Sequence, residues 1–312
     1  MSFNKSVLIC DPVDPILQKI LKDNGLNITY NPTVTYDELY NIIQDFNIIV
    51  IRGRTKLTKD LIEKTNKCLI IARVGVGLDN IDLKAANNKH IKVINSAESA
   101  STAVAELVLC LLLAISRQII KANNGIQNNK WLKKELLGSE LKGKYLGIIG
   151  LGNIGKRLSR LARGLNMNII GYDINPIDDA FSKEVGLIKT DLNTLLKSSD
   201  YISIHVPLAD STYHLINKNK LDLMKNTAIL INTSRGGIVD EESLYHSIKD
   251  GNIAGAALDV FEQEPALENK LTELTNVILT PHIGAQTKEA QSLAANVIAE
   301  KIIYHLRTMG IK

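Results

Sequence analysis

The chain has 312 residues, a formal net charge of +4, 45% hydrophobic and 22% charged residues. That length suggests two domains of ordinary size with globular composition. The small net charge and the lack of a polybasic block leave no requirement for nucleic acid or a membrane surface.

Residues 1–10 lack the cationic start and long apolar core of a secretory signal, so a cytoplasmic protein is expected. The three cysteines, Cys10, Cys68 and Cys110, each lie in an apolar run without metal-ligand spacing. They are expected to be buried free thiols in a reducing compartment, and no metal site is expected.

The first hundred residues alternate short β-like runs with helical patterns. Strands are predicted over 7–10, 28–30, 48–51, 69–72 and 93–94, with helices over 15–22, 36–43, 59–64 and 82–89 between them. Such alternation argues for a parallel sheet covered by helices. A long helix over 98–116 follows, and its greasy stretch, 107–115, is too short to span a bilayer and reads as buried. The polar stretch 121–134, which holds Trp131, the only tryptophan, reads as a surface loop and chain crossover.

The second alternating block runs over 145–280. It opens with an apolar run, 146–149, then Gly150-Leu151-Gly152-Asn153-Ile154-Gly155, a helix over 154–165, and a second apolar run, 169–172, ending in Asp173. Strand, glycine turn, helix, strand and acid make up a dinucleotide-binding βαβ unit. Gly150 permits the turn, Gly152 lets a pyrophosphate approach the backbone, and Gly155 allows close helix packing. The helix N-terminus offers N–H groups to phosphate. The carboxylate of Asp173 suits a ribose 2′-OH and repels a 2′-phosphate. With no Arg or Lys over 174–179, NAD is predicted rather than NADP.

Later strands are predicted over 201–204, 228–232, 254–258 and 277–279, and a closing helix over 288–307. Ligands of open α/β sheets bind beyond the C-terminal strand ends. Three such ends carry Arg235 (in Thr233-Ser234-Arg235-Gly236-Gly237), Glu264 and His282. These groups suit oxidation of a 2-hydroxy acid. An imidazole takes the hydroxyl proton, a carboxylate orients it, and a guanidinium binds the substrate carboxylate. His205 ends a strand before Pro207 and is expected to line the cofactor cleft without acid–base work. His90, His246 and His305 lie on or beside polar helices, and His214 lies in a loop.

With these residues the chain resembles the D-isomer-specific 2-hydroxyacid dehydrogenases over nearly its whole length. The carrying motifs are Gly150 to Gly155, Asp173, NTSRGGIVD (232–240), AALDVFEQEP (256–265) and PHIGA (281–285). The resemblance implies Arg235 as the substrate-binding arginine, Glu264 as the partner carboxylate and His282 as the acid/base. It implies NAD contacts from Val76, Asn153, Ile154, Asp173, Val206, Thr233, Asp259 and Gly284, and we place His205, Pro207 and Ser234 with them.

The implied fold is α/β, two doubly wound parallel-sheet domains. A Rossmann NAD-binding domain (99–286) is inserted into a flavodoxin-like substrate-binding domain (1–98 and 287–312). The two long helices, 98–116 and 288–307, make the crossing. The resemblance also implies a homodimer joined through the NAD-binding domain, with the crossover around Trp131 in the interface.

Within the family, VIRGRTKLT (50–58), ARVGVGLDNID (72–82) and GAQTKEAQ (284–291) resemble members acting on 3-phospho-D-glycerate at the entry to serine synthesis. A phosphorylated 2-hydroxy acid calls for cations. Arg52 and Arg73 follow strands directly, whereas Arg54 and Lys56 read equally well as solvated loop charge. The N–H groups of Val76 and Gly77 are expected to receive the carboxylate, and Lys133 to reach a neighbouring subunit's site. Gly53-Arg54 departs from the small or polar residues common there. No C-terminal regulatory domain is expected after the closing helix. Glyoxylate or hydroxypyruvate reduction, and a non-catalytic NAD-sensing role, stay open as alternatives.

Overall fold

A computed structural model describes residues 4–310. The chain divides into two compact units, Met1–Ala100 with Ala285–Lys312, and Ser101–Gly284.

In the first unit β1 (Ser6–Ile9), α1 (Pro15–Asp23), β2 (Asn27–Tyr30), α2 (Tyr36–Ile42), β3 (Ile48–Ile51), α3 (Lys59–Lys64), β4 (Ile70–Arg73), α4 (Leu83–Asn88) and β5 (Lys92–Asn95) follow one another. All pairings are parallel, in the order β2-β1-β3-β4-β5. β3 reads Ile-Ile-Val-Ile and is buried throughout, as expected of a strand covered on both faces. Helix starts follow capping rules: Pro15 opens α1 behind Asp14, and Thr35 and Glu38 form a capping box on α2.

The second unit contains α5 (Ser101–Ser116), α6 (Ile119–Gln127), β6 (Tyr145–Ile149), α7 (Asn153–Gly164), β7 (Asn168–Tyr172), α8 (Asp179–Val185) and β8 (Ile188–Lys189). It continues with α9 (Leu192–Ser198), β9 (Tyr201–Ile204), α10 (Lys218–Leu221), β10 (Ile229–Asn232), α11 (Glu241–Lys249), β11 (Gly255–Leu258) and β12 (Val277–Leu279). Its seven strands are also all parallel, in the order β12-β11-β10-β9-β6-β7-β8. The chain then returns to the first unit as α12 (Lys288–Thr308). The α12 residues Ala295, Ile298 and Ile302 complete a core with Val7, Ile9, Val50 and Ile70.

Strand order reverses between β1 and β3 in one sheet and between β6 and β9 in the other. Adjacent connections there leave on opposite faces and open a crevice at the strand ends. Asp11 and Arg52 follow the first pair of strands, and Gly150 and His205 the second.

Three expectations are corrected. Residues 121–127 of the supposed polar loop belong to a helix, Ile119–Gln127, with Ile119, Ile120 and Ile126 exposed. The helix expected from residue 98 begins at Ser101, because Ser99 N–H and Oγ–H both turn back to the Ser96 carbonyl. Cys110 is exposed, unlike buried Cys10. It shares one face of α5 with exposed Glu106 and Leu113, so this apolar helix is not buried all round. Among the described residues, no single helix is long and apolar enough to cross a membrane.

Candidate active site

At the β6–α7 turn Gly150 adopts φ +94°, and a Cβ there would meet the His205 carbonyl carbon at 2.8 Å. Only glycine fits that left-handed backbone against the β9 end. Around Gly152 the added Cβ would meet nothing within 4 Å, and no side chain caps α7. The turn therefore presents open space in front of a helix N-terminus, with Asn153, Ile154 and Gly155 in its first turn. Asp173 closes the unit from the β7 end. One carboxylate oxygen accepts the Leu151 N–H at 2.7 Å and the other the Asn175 N–H at 2.8 Å. The acid thus braces the glycine turn.

His205, Val206 and Pro207 follow β9, and Thr233 and Ser234 follow β10. The His205 ring bonds Ser203 Oγ through Nε2 at 2.9 Å, while its Nδ1 is buried without a partner. Burial pushes the His205 imidazole down to about 3, so it stays neutral near pH 7. Thr233 Oγ1 is likewise buried and unpartnered. Buried polar atoms are normally satisfied, so two orphans at neighbouring strand ends fit a polar ligand there.

The three strand-end groups all lie in the second unit. His282 Nδ1 lies 2.8 Å from Glu264 Oε2 and 3.1 Å from Oε1. Oε1 also accepts the Phe261 N–H at 3.2 Å. With Nδ1 held by the carboxylate, Nε2 has no hydrogen bond among the described residues and is the nitrogen open to proton exchange. His282 adopts φ +52°. Asp259, buried at the end of β11, holds that turn by accepting Thr280 Oγ1–H at 2.6 Å and the N–H groups of Ile283 and Gly284 at 2.8 Å each. Its two oxygens are thus engaged by the protein itself.

Arg235 Nη1 donates to the Ser234 carbonyl at 2.6 Å, and Asn232 Nδ2 bonds the Arg235 carbonyl at 2.8 Å. A Cβ on Gly236 would sit 1.9 Å from the Phe261 carbonyl, so the turn carrying Arg235 packs backbone to backbone on the turn carrying Glu264.

In the first unit Arg52 Nη2 donates to Gln286 Oε1 at 3.1 Å, and Gln291 Nε2 donates to the same oxygen at 2.7 Å. No carboxylate lies within ion-pair distance of the Arg52 side chain among the described residues. Arg73 Nε donates to the Arg52 carbonyl at 3.1 Å. Arg54, though partly exposed, donates to the Cys10, Pro32 and Val34 carbonyls and pairs with Asp11 at 3.3 Å. It is a structural residue, and its departure from the family pattern does not add a free cation to the group. Asp11, missed by sequence reasoning, is buried and accepts the N–H groups of Arg52 and Thr55. The Val76 and Gly77 N–H groups donate to nothing among the described residues, while the Val76 carbonyl accepts Asn95 Nδ2. Lys133 is exposed beyond α6.

Residues 109–284 match the D-isomer specific 2-hydroxyacid dehydrogenase, NAD binding domain family. The chain is also 45% identical, over 96% of its length, to D-3-phosphoglycerate dehydrogenase of Methanocaldococcus jannaschii.

The chain belongs to the D-isomer-specific 2-hydroxyacid dehydrogenase family.

It spans 57% of that relative's length. It is 43% identical to hydroxypyruvate reductase of Thermotoga maritima, covering 96% of this chain and 98% of the relative. Among solved structures it is similar to D-lactate dehydrogenase from Aquifex aeolicus complexed with NAD and lactic acid. The TM-score is 0.85 and the identity 30%, with 97% of this chain and 96% of that one covered. The match to the family's NAD-binding domain, residues 109–284, falls within the second unit. The open turn at Gly152, the uncapped α7 and the two orphaned polar atoms fit that cofactor.

Proposed function

We propose that the protein oxidises 3-phospho-D-glycerate to 3-phosphohydroxypyruvate with NAD, a step that supplies L-serine synthesis. Bound NAD accepts the hydride. His282 takes the hydroxyl proton on Nε2, and Glu264 orients the ring through Nδ1 and stabilises the imidazolium as it forms. Arg235 pairs with the substrate carboxylate and polarises the developing carbonyl. NAD contacts are assigned to Gly150, Gly152, Asn153, Ile154, Gly155, Asp173, His205, Val206, Pro207, Thr233, Ser234, Asp259 and Gly284 of the second unit, and to Val76 of the first. The substrate's remaining groups are assigned to Arg52, Arg73 and the Val76 and Gly77 amides, and Lys133 is assigned to a neighbouring subunit's site.

The observation that carries the phosphate is the state of Arg52. Its guanidinium is steadied by a neutral amide oxygen and paired with no carboxylate among the described residues, so its charge is available to an anion. A hydroxypyruvate reductase is the second reading, favoured by the Thermotoga maritima relative, whose length this chain matches. The test is reductive turnover of 3-phosphohydroxypyruvate, hydroxypyruvate and glyoxylate with NADH. The phosphorylated acid is expected to give the highest kcat/KM. A higher value for hydroxypyruvate transfers the assignment to the reductase. Retention of Arg235, Glu264 and His282 together argues against a purely NAD-sensing protein.

The same reading makes the protein a cytoplasmic homodimer. Trp131 is 80% and Leu137 91% exposed, and both follow α6 with its own exposed isoleucines. A concentration of large apolar side chains at the surface is characteristic of an interface.

A further inference from the structure

Glu262 lies two residues before Glu264 and takes no part in the proton transfer proposed above. It is nevertheless held by two separate elements. Its Oε1 lies 3.0 Å from His214 Nε2 and accepts the Glu241 N–H at 3.1 Å. Its own N–H donates to Glu241 Oε1, while Glu241 Oε2 accepts Asn269 Nδ2 at 2.6 Å.

Glu241 is the first residue of α11, whose N-cap is Asp240. The N–H that reaches Glu262 is therefore one of the helix's unpaired N-terminal donors, at its positive end. His214 is fixed in turn. Its N–H donates to the Gly237 carbonyl at 2.8 Å, and its ring stacks on Tyr213 with centroids 4.0 Å apart. The Glu264 turn is thus tied at Glu262 to the α11 start and at Glu264 to His282.

We propose that Glu262, clamped by His214 and the start of α11, is a positioning residue that keeps the Glu264 carboxylate on His282. The proposal rests on the reading of His282 as acid/base. Its physical content is that a turn of bends, whose own hold on Glu264 is the Phe261 N–H to Oε1 bond, needs an anchor on a neighbouring element to keep that carboxylate at hydrogen-bond distance from His282.

The test compares Glu262→Ala, Glu262→Gln and His214→Asn in the full chain with NADH and 3-phosphohydroxypyruvate. His214 has φ +47°, which Asn tolerates, so that variant keeps the backbone while removing the imidazole. Glu262→Ala is expected to lower kcat by about 10- to 100-fold, with both KM values within about twofold. Glu262→Gln, which still accepts both hydrogen bonds, is expected to recover most of the loss. His214→Asn is expected to fall between them. In a Glu264→Ala background, Glu262→Ala is expected to cost nothing further, because a positioning residue acts through the group it positions.

An unchanged kcat in Glu262→Ala overturns the proposal. So does a full additional loss on top of Glu264→Ala, or a loss confined to KM. If Glu264→Ala and His282→Ala themselves retain normal kcat, the acid/base reading has failed instead.

Discussion

Asp259 Oδ1 accepts the N–H of Ile283 at 2.8 Å, and Ile283 is the residue directly after His282. The same oxygen accepts Thr280 Oγ1–H, so the short turn around His282 is pinned on both sides by one buried carboxylate. Asp259→Asn keeps the size but replaces one acceptor oxygen with a donor. It is expected to lower kcat at least about tenfold through misplacement of His282, beyond any change in NAD affinity. Steady-state kinetics with independent measurement of NADH binding separate the two effects.

His282→Ala removes the group assigned to proton transfer. The expected loss in kcat is about 100- to 10,000-fold, with NADH binding by fluorescence retained. Near-normal turnover at saturating substrate would eliminate His282 as acid/base.

Asp173, assigned above to the ribose, braces Leu151 in the glycine turn. Asp173→Ala is expected to abolish the preference for NAD over NADP, measured as the ratio of kcat/KM values, and to weaken NAD binding by loosening the turn. Persistence of the wild-type ratio would refute the cofactor assignment.

Gln286→Glu places a carboxylate where Arg52 now meets a neutral oxygen. Neutralising that guanidinium is expected to raise KM for the phosphorylated substrate about tenfold or more. Hydroxypyruvate KM should move little. Arg52/Arg73 double replacement should act in the same direction, and equal KM changes for both substrates would remove the phosphate assignment.

Burial lowers the His205 imidazole from 6.5 to about 3. The unfolded chain then binds a proton below pH 6.5 that the folded chain refuses. Stability from this site is complete above pH 6.5 and is lost as pH falls from 6.5 towards 3. His205→Gln, which does not titrate, should lose about 2 kcal/mol less than wild type between pH 7 and 5. Urea unfolding at the two pH values measures the difference.

Much of this was legible in the sequence because it depends on local patterns. The alternation of short apolar runs with amphipathic segments located most strands to within a residue. Gly150 to Gly155 and Asp173 mark a turn whose chemistry is local. What escaped depends on contacts between distant segments. Arg54 reads as loop charge until the Cys10, Pro32 and Val34 carbonyls are seen to converge on it. Nothing local in the sequence marks the contacts that α11 and His214 make with Glu262. β8 is two exposed residues long and carries no alternation to read. The exposed face of α5 was missed because Cys110 and Leu113 are as apolar as the residues they replace on a polar face. Asp11, buried under a loop forty residues later in the chain, carries no local signal of that contact.

The return of the chain as α12 has a consequence for how the molecule is made. Val7, Ile9, Val50 and Ile70 share one core with Leu17 and Leu21 of α1 and with α12 residues from Ala294 to Leu306. During ribosomal synthesis α1 can pack on this sheet face early, but the part that α12 covers stays bare until α12 emerges, although its strands were made first. The second unit, being one uninterrupted segment, can complete its core earlier. The second unit can therefore close its core before the first, whose α12-facing surface is open to aggregation and chaperone capture in the meantime.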